Sequence, residues 1–386
     1  MPLLQLIYTH SRVGQDSENK GFQVYQYTSG LTPDEKNELV KWGVYRQPDD
    51  LPSLPTEEEL KSFPVNFFFG RLSSGRELIG QSCYTGETSD SRPNNFLIHA
   101  LVKSNEDVWP FPPIAYYASP TFKRLLPLEA IRSTTRPNPL PALEMSQLEV
   151  DESAYNATVE PARRPALAAF LQAGLSPMEK ERRLGLVAAN PTEIVAWLSM
   201  LWNALPEDWR AERFNAQTYV YDPDNARARV VAFRSSGTQY RPDNMLLRSK
   251  FTIFDVNAGS ASEGIPPDGY GDFAANAPDQ LETFHSFWST CQKRESVADL
   301  DCASKLYRLM QGQSKFAVPE VFGYALTALP ENDRAKLANS IISNFPTDGE
   351  AGQIAAILDF VISVAEARKD QACVRDSCGR VRGARG

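Results

Sequence analysis

The sequence predicts an α+β protein in three parts: a β-rich N-terminal domain, an α+β middle domain and an all-helical C-terminal region. Three observations carry this reading. Before residue 130 the apolar residues fall in short runs, rich in aromatic and aliphatic side chains and bounded by turn residues, which is the signature of strands. Prolines then crowd together at Pro110, Pro112, Pro113, Pro120, Pro127, Pro137, Pro139 and Pro141. A ring that fixes φ and removes the N–H donor keeps long regular elements from persisting there. From about residue 275 the apolar residues recur at helical spacing. Domains are therefore expected at 1–130, 161–274 and 275–368, with a Pro-rich linker or wrapping arm at 131–160 and a disordered tail at 369–386. A chain of 386 residues exceeds what one compact core holds.

In the first part "LLQLIY" and "GFQVYQYT" read as strands on either side of the polar loop "SRVGQDSENK". Thr32-Pro33-Asp34-Glu35 is a capping box with proline at the first helical position, opening a helix through about Trp42. "TEEELKSF" starts a second short helix. "VNFFFGRL", "RELIGQSCY" and "NFLIHALV" are three more strands, the first two joined as a hairpin by "LSSGRE". In the middle part "PARRPALAAFLQAGL" reads as a helix and Ser176-Pro177-Met178-Glu179 as another capping box. Asn190-Pro191-Thr192-Glu193 opens an amphipathic helix whose Ile194, Trp197, Leu198, Leu201, Trp202 and Leu205 form one core-facing stripe. "AQTYVY", the turn "DPDN" and "RARVVAF" read as a β-hairpin, "KFTIFDV" as one more strand, and "NAGSASEGIPPDGYGD" as a mobile loop. "SVADLDCASKLYRLM", "LPENDRAKLANSIISNF" and "DGEAGQIAAILDFVISVAEA" read as helices, the last with Ile354, Ile357, Leu358, Val361, Ile362 and Ala365 as its buried stripe.

Composition narrows the function. With 42% hydrophobic and 23% charged residues the chain reads as an ordinary globular protein, and a net charge of −8 argues against nucleic acid as a partner. Five cysteines, Cys83, Cys291, Cys302, Cys373 and Cys378, are odd in number and scattered, which suits a reducing cytoplasm. No signal peptide opens the chain, and "IAAILDFVISVA", broken by Asp359, is too short to span a bilayer. A cytoplasmic location and no membrane contact are expected. No GxxxxGK[ST] loop is present, since "GRLSSGRE" has the wrong spacing and no lysine, and HExxH and GxSxG are missing too. His10, His99 and His285 lie far apart, so no metal and no cofactor are expected.

One pair could carry chemistry. Cys83 and His99 lie on consecutive expected strands, and a thiol beside an imidazole is what a Cys/His hydrolase needs. The alternative is that both fill a core, and for His99 a structural role is the preferred reading. Binding candidates are Arg92, Asn94 and Asn95 in the turn before His99, with Arg213 and Tyr219 further on.

Together these residues resemble a family. "LIYTHS", "GFQV" and "CYTGETSDSRPNNFLIHALV", in that order, resemble the N-terminal domain of the bacterial GTPase-associated protein family, type one. "RAERFNAQTYVYDPDNARARVVAFR" followed by "FTIFDV" resembles its middle domain, so the likeness covers about residues 3–256. Asn94 stands where the family has glycine, and asparagine also tolerates left-handed backbone. His99 matches the family's strand histidine, for which the resemblance supplies no role. The resemblance implies a non-enzymatic adaptor or scaffold in a GTPase-linked bacterial conflict (antiphage defence) system. Its partners would be a GTPase or other NTPase encoded nearby and other defence-system proteins. The alternatives are a hydrolase or effector using Cys83 and His99, or an effector whose Arg-rich tail meets a membrane or nucleic acid. The family continues further, so the Arg/Gly end reads as a truncated or variant C-terminus.

Overall fold

Eleven strands form one mixed sheet in a computed structural model that describes residues 2–155, 159–175, 182–262, 269–312, 319–343 and 351–367. They are β1 (Pro2–Ser11), β2 (Gly21–Tyr27), β3 (Asn66–Arg71), β4 (Glu77–Gly86), β5 (Asn95–Val102), β6 (Leu143–Glu144), β7 (Arg183–Val187), β8 (Ala216–Gln217), β9 (Val230–Phe233), β10 (Phe251–Asp255) and β11 (Ser260–Ala261). The spatial order is β11-β10-β7-β9-β8-β3-β4-β5-β1-β2, with β6 paired to β1. Strands β3, β4, β5, β1 and β2 are antiparallel neighbours, whereas β10, β7, β9 and β8 run parallel. The two halves are sewn together where β8 pairs antiparallel with β3, Phe68 opposite Gln217 and Phe69 opposite Ala216.

Strands β3, β4 and β5 are buried on both faces, which is why they read as nearly continuous apolar runs. One face carries Phe68, Leu78, Ile98, Ala100 and Val102 against Leu39 and Trp42 of helix α1 (Pro33–Gly43). Contact there is so close that a Cβ on Gly80 would lie 2.3 Å from the Phe68 ring. The expected capping box is formed: Thr32 accepts from the Glu35 N–H at 3.2 Å and Glu35 accepts from the Thr32 N–H at 3.0 Å. On the other face Phe67 meets the rings of Tyr117 and Phe122, and Ile7 and Leu97 pack with Leu140.

Residues on both sides of 131–160 contribute strands to the same sheet. The chain forms two compact units, Met1–Ile265 and Pro266–Gly386. The proline-rich stretch is an arm bound along the N-terminal strands: Gln5 and Thr28 donate to the Pro141 carbonyl, the Leu140 N–H donates to Tyr27, and β6 joins β1. Extended proline backbone leaves its carbonyls free to accept such bonds. The arm also helps blunt the edge strand β2, where the Gln26 amide donates to the Asn138 carbonyl, and Gln15 of the β1–β2 loop pairs with Tyr25 and Tyr27.

The expected hairpin at 216–233 is corrected. Strands β8 and β9 pair in parallel, Ala216 opposite Val230. "DPDN" is not a tight reversal: Asp222 caps a short helical turn, Pro223–Asn225, and residues 218–229 carry the chain back to the end from which it came. Strand β7 was not foreseen. Helix α2 (Glu57–Leu60) starts at Thr56 as expected, and α3 (Leu128–Arg132) and α4 (Glu152–Tyr155) are short. Helix α5 (Arg164–Leu175) covers the expected alanine-rich segment. Helix α6 (Pro191–Ala204) is capped by Asn190, which accepts from the Thr192 N–H at 2.9 Å. Its stripe is buried except at Trp202, which is half-buried. Helices α7 (Glu207–Arg213) and α8 (Met245–Lys250) complete the unit. The Ser176 capping box and part of the loop expected to be mobile, residues 263–268, lie outside the described residues.

The second unit, among its described residues, is helical: α9 (Tyr270–Asn276), α10 (Leu281–Thr290), α11 (Val297–Met310), α12 (Pro319–Ala328), α13 (Glu331–Ser343) and α14 (Ala351–Ala367). Ser296 and Asp299 cap α11 reciprocally. Tyr270, Phe273, Phe284 and Tyr307 form an aromatic core, and Phe322 packs on Phe360 at 5.1 Å. On α14 the buried residues are Ile357, Phe360, Val361, Val364 and Ala365, so the expected stripe is rotated and Ile354, Leu358 and Ile362 are half-buried. No helix of the described residues is long and apolar enough to cross a membrane. The expected disordered tail at 369–386 lies outside the described residues.

Gln217 holds the seam. Only 3% exposed, it donates to the Trp42 carbonyl at 3.0 Å and accepts from the Arg227 and Ala228 N–H groups at 2.7 and 3.0 Å. Gln217→Ala strands two buried backbone groups, the Trp42 carbonyl and the Ala228 N–H, besides the part-buried Arg227 N–H, and is expected to cost about 3 kcal/mol in a urea melt.

Candidate functional site

Cys83 and His99 share one face of the sheet, because Gln81 lies opposite His99 and Cys83 is two residues further along β4. Yet no hydrogen bond joins them, and each is taken up by the chain that covers that face. The Cys83 thiol donates to the Arg124 carbonyl at 3.1 Å. His99 accepts the Lys123 N–H on Nδ1 at 3.0 Å, which leaves the proton on Nε2, 3.0 Å from Gln5 Oε1. Burial pushes the thiol up to about 12 and pulls the imidazole down to about 3. Both are neutral at physiological pH, whereas a nucleophilic pair requires a thiolate. The arrangement braces residues 122–124 against the sheet.

The other sequence candidates are also engaged. Asn94 has φ 77°, a left-handed turn position, and donates its N–H to the Tyr84 hydroxyl at 3.0 Å. Asn95 is buried; its Oδ1 accepts from the Thr9 hydroxyl and the His10 N–H, and its Nδ2 donates to the Glu87 carbonyl. Arg92 is exposed beside Asp90 at 3.6 Å. Tyr219 donates to the Arg46 carbonyl at 2.8 Å and packs with Tyr45, Tyr84 and Tyr221, so Tyr84 bridges it to the Asn94 turn. Arg213 is on α7, where it donates to the Leu175 carbonyl and stacks 3.8 Å over Trp209.

A cleft of about 510 Å³ opens in the first unit. Its floor is the end of the antiparallel strands: Phe69 and Gly70 of β3, Glu77 and Leu78 of β4, and Lys103 just past β5. One wall is the loop "DVWPFPP" at 107–113; the other is the α6–α7 corner with Trp202, Asn203, Glu207, Arg210 and Phe214. Lys103 sets the first wall. Its buried ammonium donates to the Ser104 and Asp107 carbonyls and pairs with Glu77 at 3.3 Å. Trp109 packs on Tyr116 at 5.7 Å, and Val108 and Phe111 stand exposed on the rim. Across the cleft Trp202 packs on Phe214 at 5.3 Å, with the Arg210 guanidinium 4.9 Å over its ring.

This lining contains aromatic surface and a few charges but no histidine, cysteine, serine or threonine. Such a lining offers apolar contact area and a few fixed charges. Among the described residues no group of three His, Cys, Asp or Glu could hold a metal. Sequence reading missed the cleft because Trp202 counted as core and "VWPFPP" only as a proline-dense end of the N-terminal domain. The usable signal was a Pro-rich loop carrying three large apolar residues.

Two measurements check this geometry. Between about pH 3 and 6.5 the unfolded chain binds a proton at residue 99 that the folded chain refuses, so this group makes stability rise with pH across that window. His99→Gln is expected to flatten the urea-derived stability curve there, by up to about 1.4 kcal/mol per pH unit. Lys103→Met removes the donor that fixes the loop wall, and cleavage within 104–113 in limited proteolysis is expected to accelerate about tenfold; unchanged cleavage would refute the clamp.

Comparison with known proteins agrees with the layout. Residues 2–143 match the N-terminal domain, type 2, of GTPase-associated protein 1, and residues 154–258 match its middle domain. The motifs read as the family's type one; the N-terminal domain matched is type 2. SaeB of Mycolicibacterium smegmatis, named as an ESX-1 scaffolding and assembly protein, is 30% identical over 93 residues in each of two strains. The aligned stretch spans 23% of this chain and only 11% of those relatives. The cleft floor comes from the N-terminal match and its α6–α7 wall from the middle match. With both domains present in order over one continuous sheet, the chain belongs to the GTPase-associated protein 1 family.

Proposed function

We propose that this chain is a non-enzymatic adaptor of a bacterial antiphage defence system, acting in the cytoplasm and binding a GTPase or other NTPase encoded nearby. The observation that carries the reading is the cleft: aromatic, without a nucleophile, and placed where the two family domains meet. A ligand seated there touches both domains at once, and the β3–β8 seam holds the two walls in a fixed relation. The family's association with a GTPase supports the partner class, and the likeness to a scaffolding and assembly protein supports an adaptor over an enzyme.

Co-expression with the neighbouring GTPase followed by size-exclusion chromatography tests this. Co-elution is expected in at least one of the nucleotide-free, GDP and GTP-analogue states. Separate elution in all three would overturn the reading.

A further inference from the structure

The charges around the cleft do not balance, and the imbalance has one sign. Its two cations are both engaged inside the fold: Lys103 with Glu77 and two carbonyls, Arg210 over Trp202 and with the Leu205 carbonyl. The carboxylates are not matched in this way. Asp107 accepts only the Ser104 hydroxyl, at 2.9 Å. Glu207 lines the cleft, is exposed, and has no ion-pair partner among the described residues; the same holds for Glu106 and Asp208 beside it in sequence. The Asn203 amide, also in the lining, makes no hydrogen bond among the described residues. The field left in the cleft is therefore negative, and low-dielectric aromatic walls concentrate such a field.

The remaining surface is apolar. Trp109, Phe111 and Val108 form one side and Trp202 the other. An indole face is also the best partner for a cation that has shed part of its water. A phosphate-bearing ligand would meet unneutralised carboxylates and no free cation. The volume suits a ligand of drug size, or a few residues of extended chain.

We infer that the cleft binds a short extended segment of a partner protein that presents an arginine or lysine side chain to Glu207, with flanking apolar residues against Trp109, Phe111 and Trp202. Arginine is favoured over lysine, because its planar fork can hold a carboxylate and stack on an aromatic face together. The Asn203 amide is placed to bond the segment's backbone. The inference rests on the adaptor reading, and it names what the cleft recognises.

The test uses the full chain and a library of acetylated, amidated hexapeptides with Arg, Lys, Gln or Glu fixed at a central position and apolar residues around it. Binding is read by tryptophan fluorescence at low and high salt. The expected order is Arg, then Lys, then Gln, then Glu, with the Arg preference weakening as salt rises. Glu207→Gln, an exposed change that leaves the core intact, is expected to weaken Arg peptides about tenfold and to leave Gln peptides unchanged. Trp109→Ala is expected to weaken both. No binding, equal affinity for Arg and Gln peptides, or tighter binding of ATP than of any peptide would overturn the inference. A GTPase complex that forms equally well with Glu207→Gln would overturn it and leave the adaptor reading standing. Arg-selective peptide binding without any GTPase complex would do the reverse.

Discussion

Everything in the first unit depends on a strand of two residues. Strand β8 pairs antiparallel with β3 on one side and parallel with β9 on the other, so among the described residues it is the link in the sheet between an antiparallel half and a parallel half. Two residues supply few ladder bonds, and buried side chains extend them. Thr218 accepts the Phe67 N–H at 2.8 Å, donates its hydroxyl to Val65 at 3.0 Å, and donates its own N–H to Phe67. Gln217 reaches both Trp42 on one side and the return strand's approach on the other. Buried polar groups strengthen a junction only when all of them are satisfied, and these are.

The cleft follows from how that sheet is covered. The arm at 113–148 lies over the face of Phe67, Gln81 and His99 and shuts water out, so Cys83 and His99 are held neutral there. At the Glu77–Lys103 end the loop lifts away and the α6–α7 corner stands opposite. A lysine buried at that edge is costly unless paired, and its carboxylate and two carbonyl partners offset the desolvation while holding the loop. One cation thus both satisfies the floor and shapes the wall.

Burial also separates the two places where chemistry was sought. Cys83 and His99 have suitable residue types in a setting that denies them charge. The cleft has charge and open aromatic surface without nucleophilic groups. Its lining draws on both family domains, residues 69–113 from the N-terminal match and 202–214 from the middle match.

Features decided within a few residues were legible in the sequence. The caps at Thr32, Asn190 and Ser296 depend on groups two or three positions away, and strands β3 to β5 announce themselves because burial on both faces demands unbroken apolar runs. The ordered motifs also carried the family. Strand β7 stayed hidden because five residues show no period that separates strand from helix. The direction of β9 was misread because a turn signal fixes a local bend and not the partner the chain returns to. By itself, then, the sequence determined the local elements, the fold class and the family. Tertiary structure alone decided the seam, the neutral state of Cys83 and His99, and the cleft, because these rest on contacts such as that of Phe67 with Thr218, 151 positions apart, whose pairing no local pattern encodes.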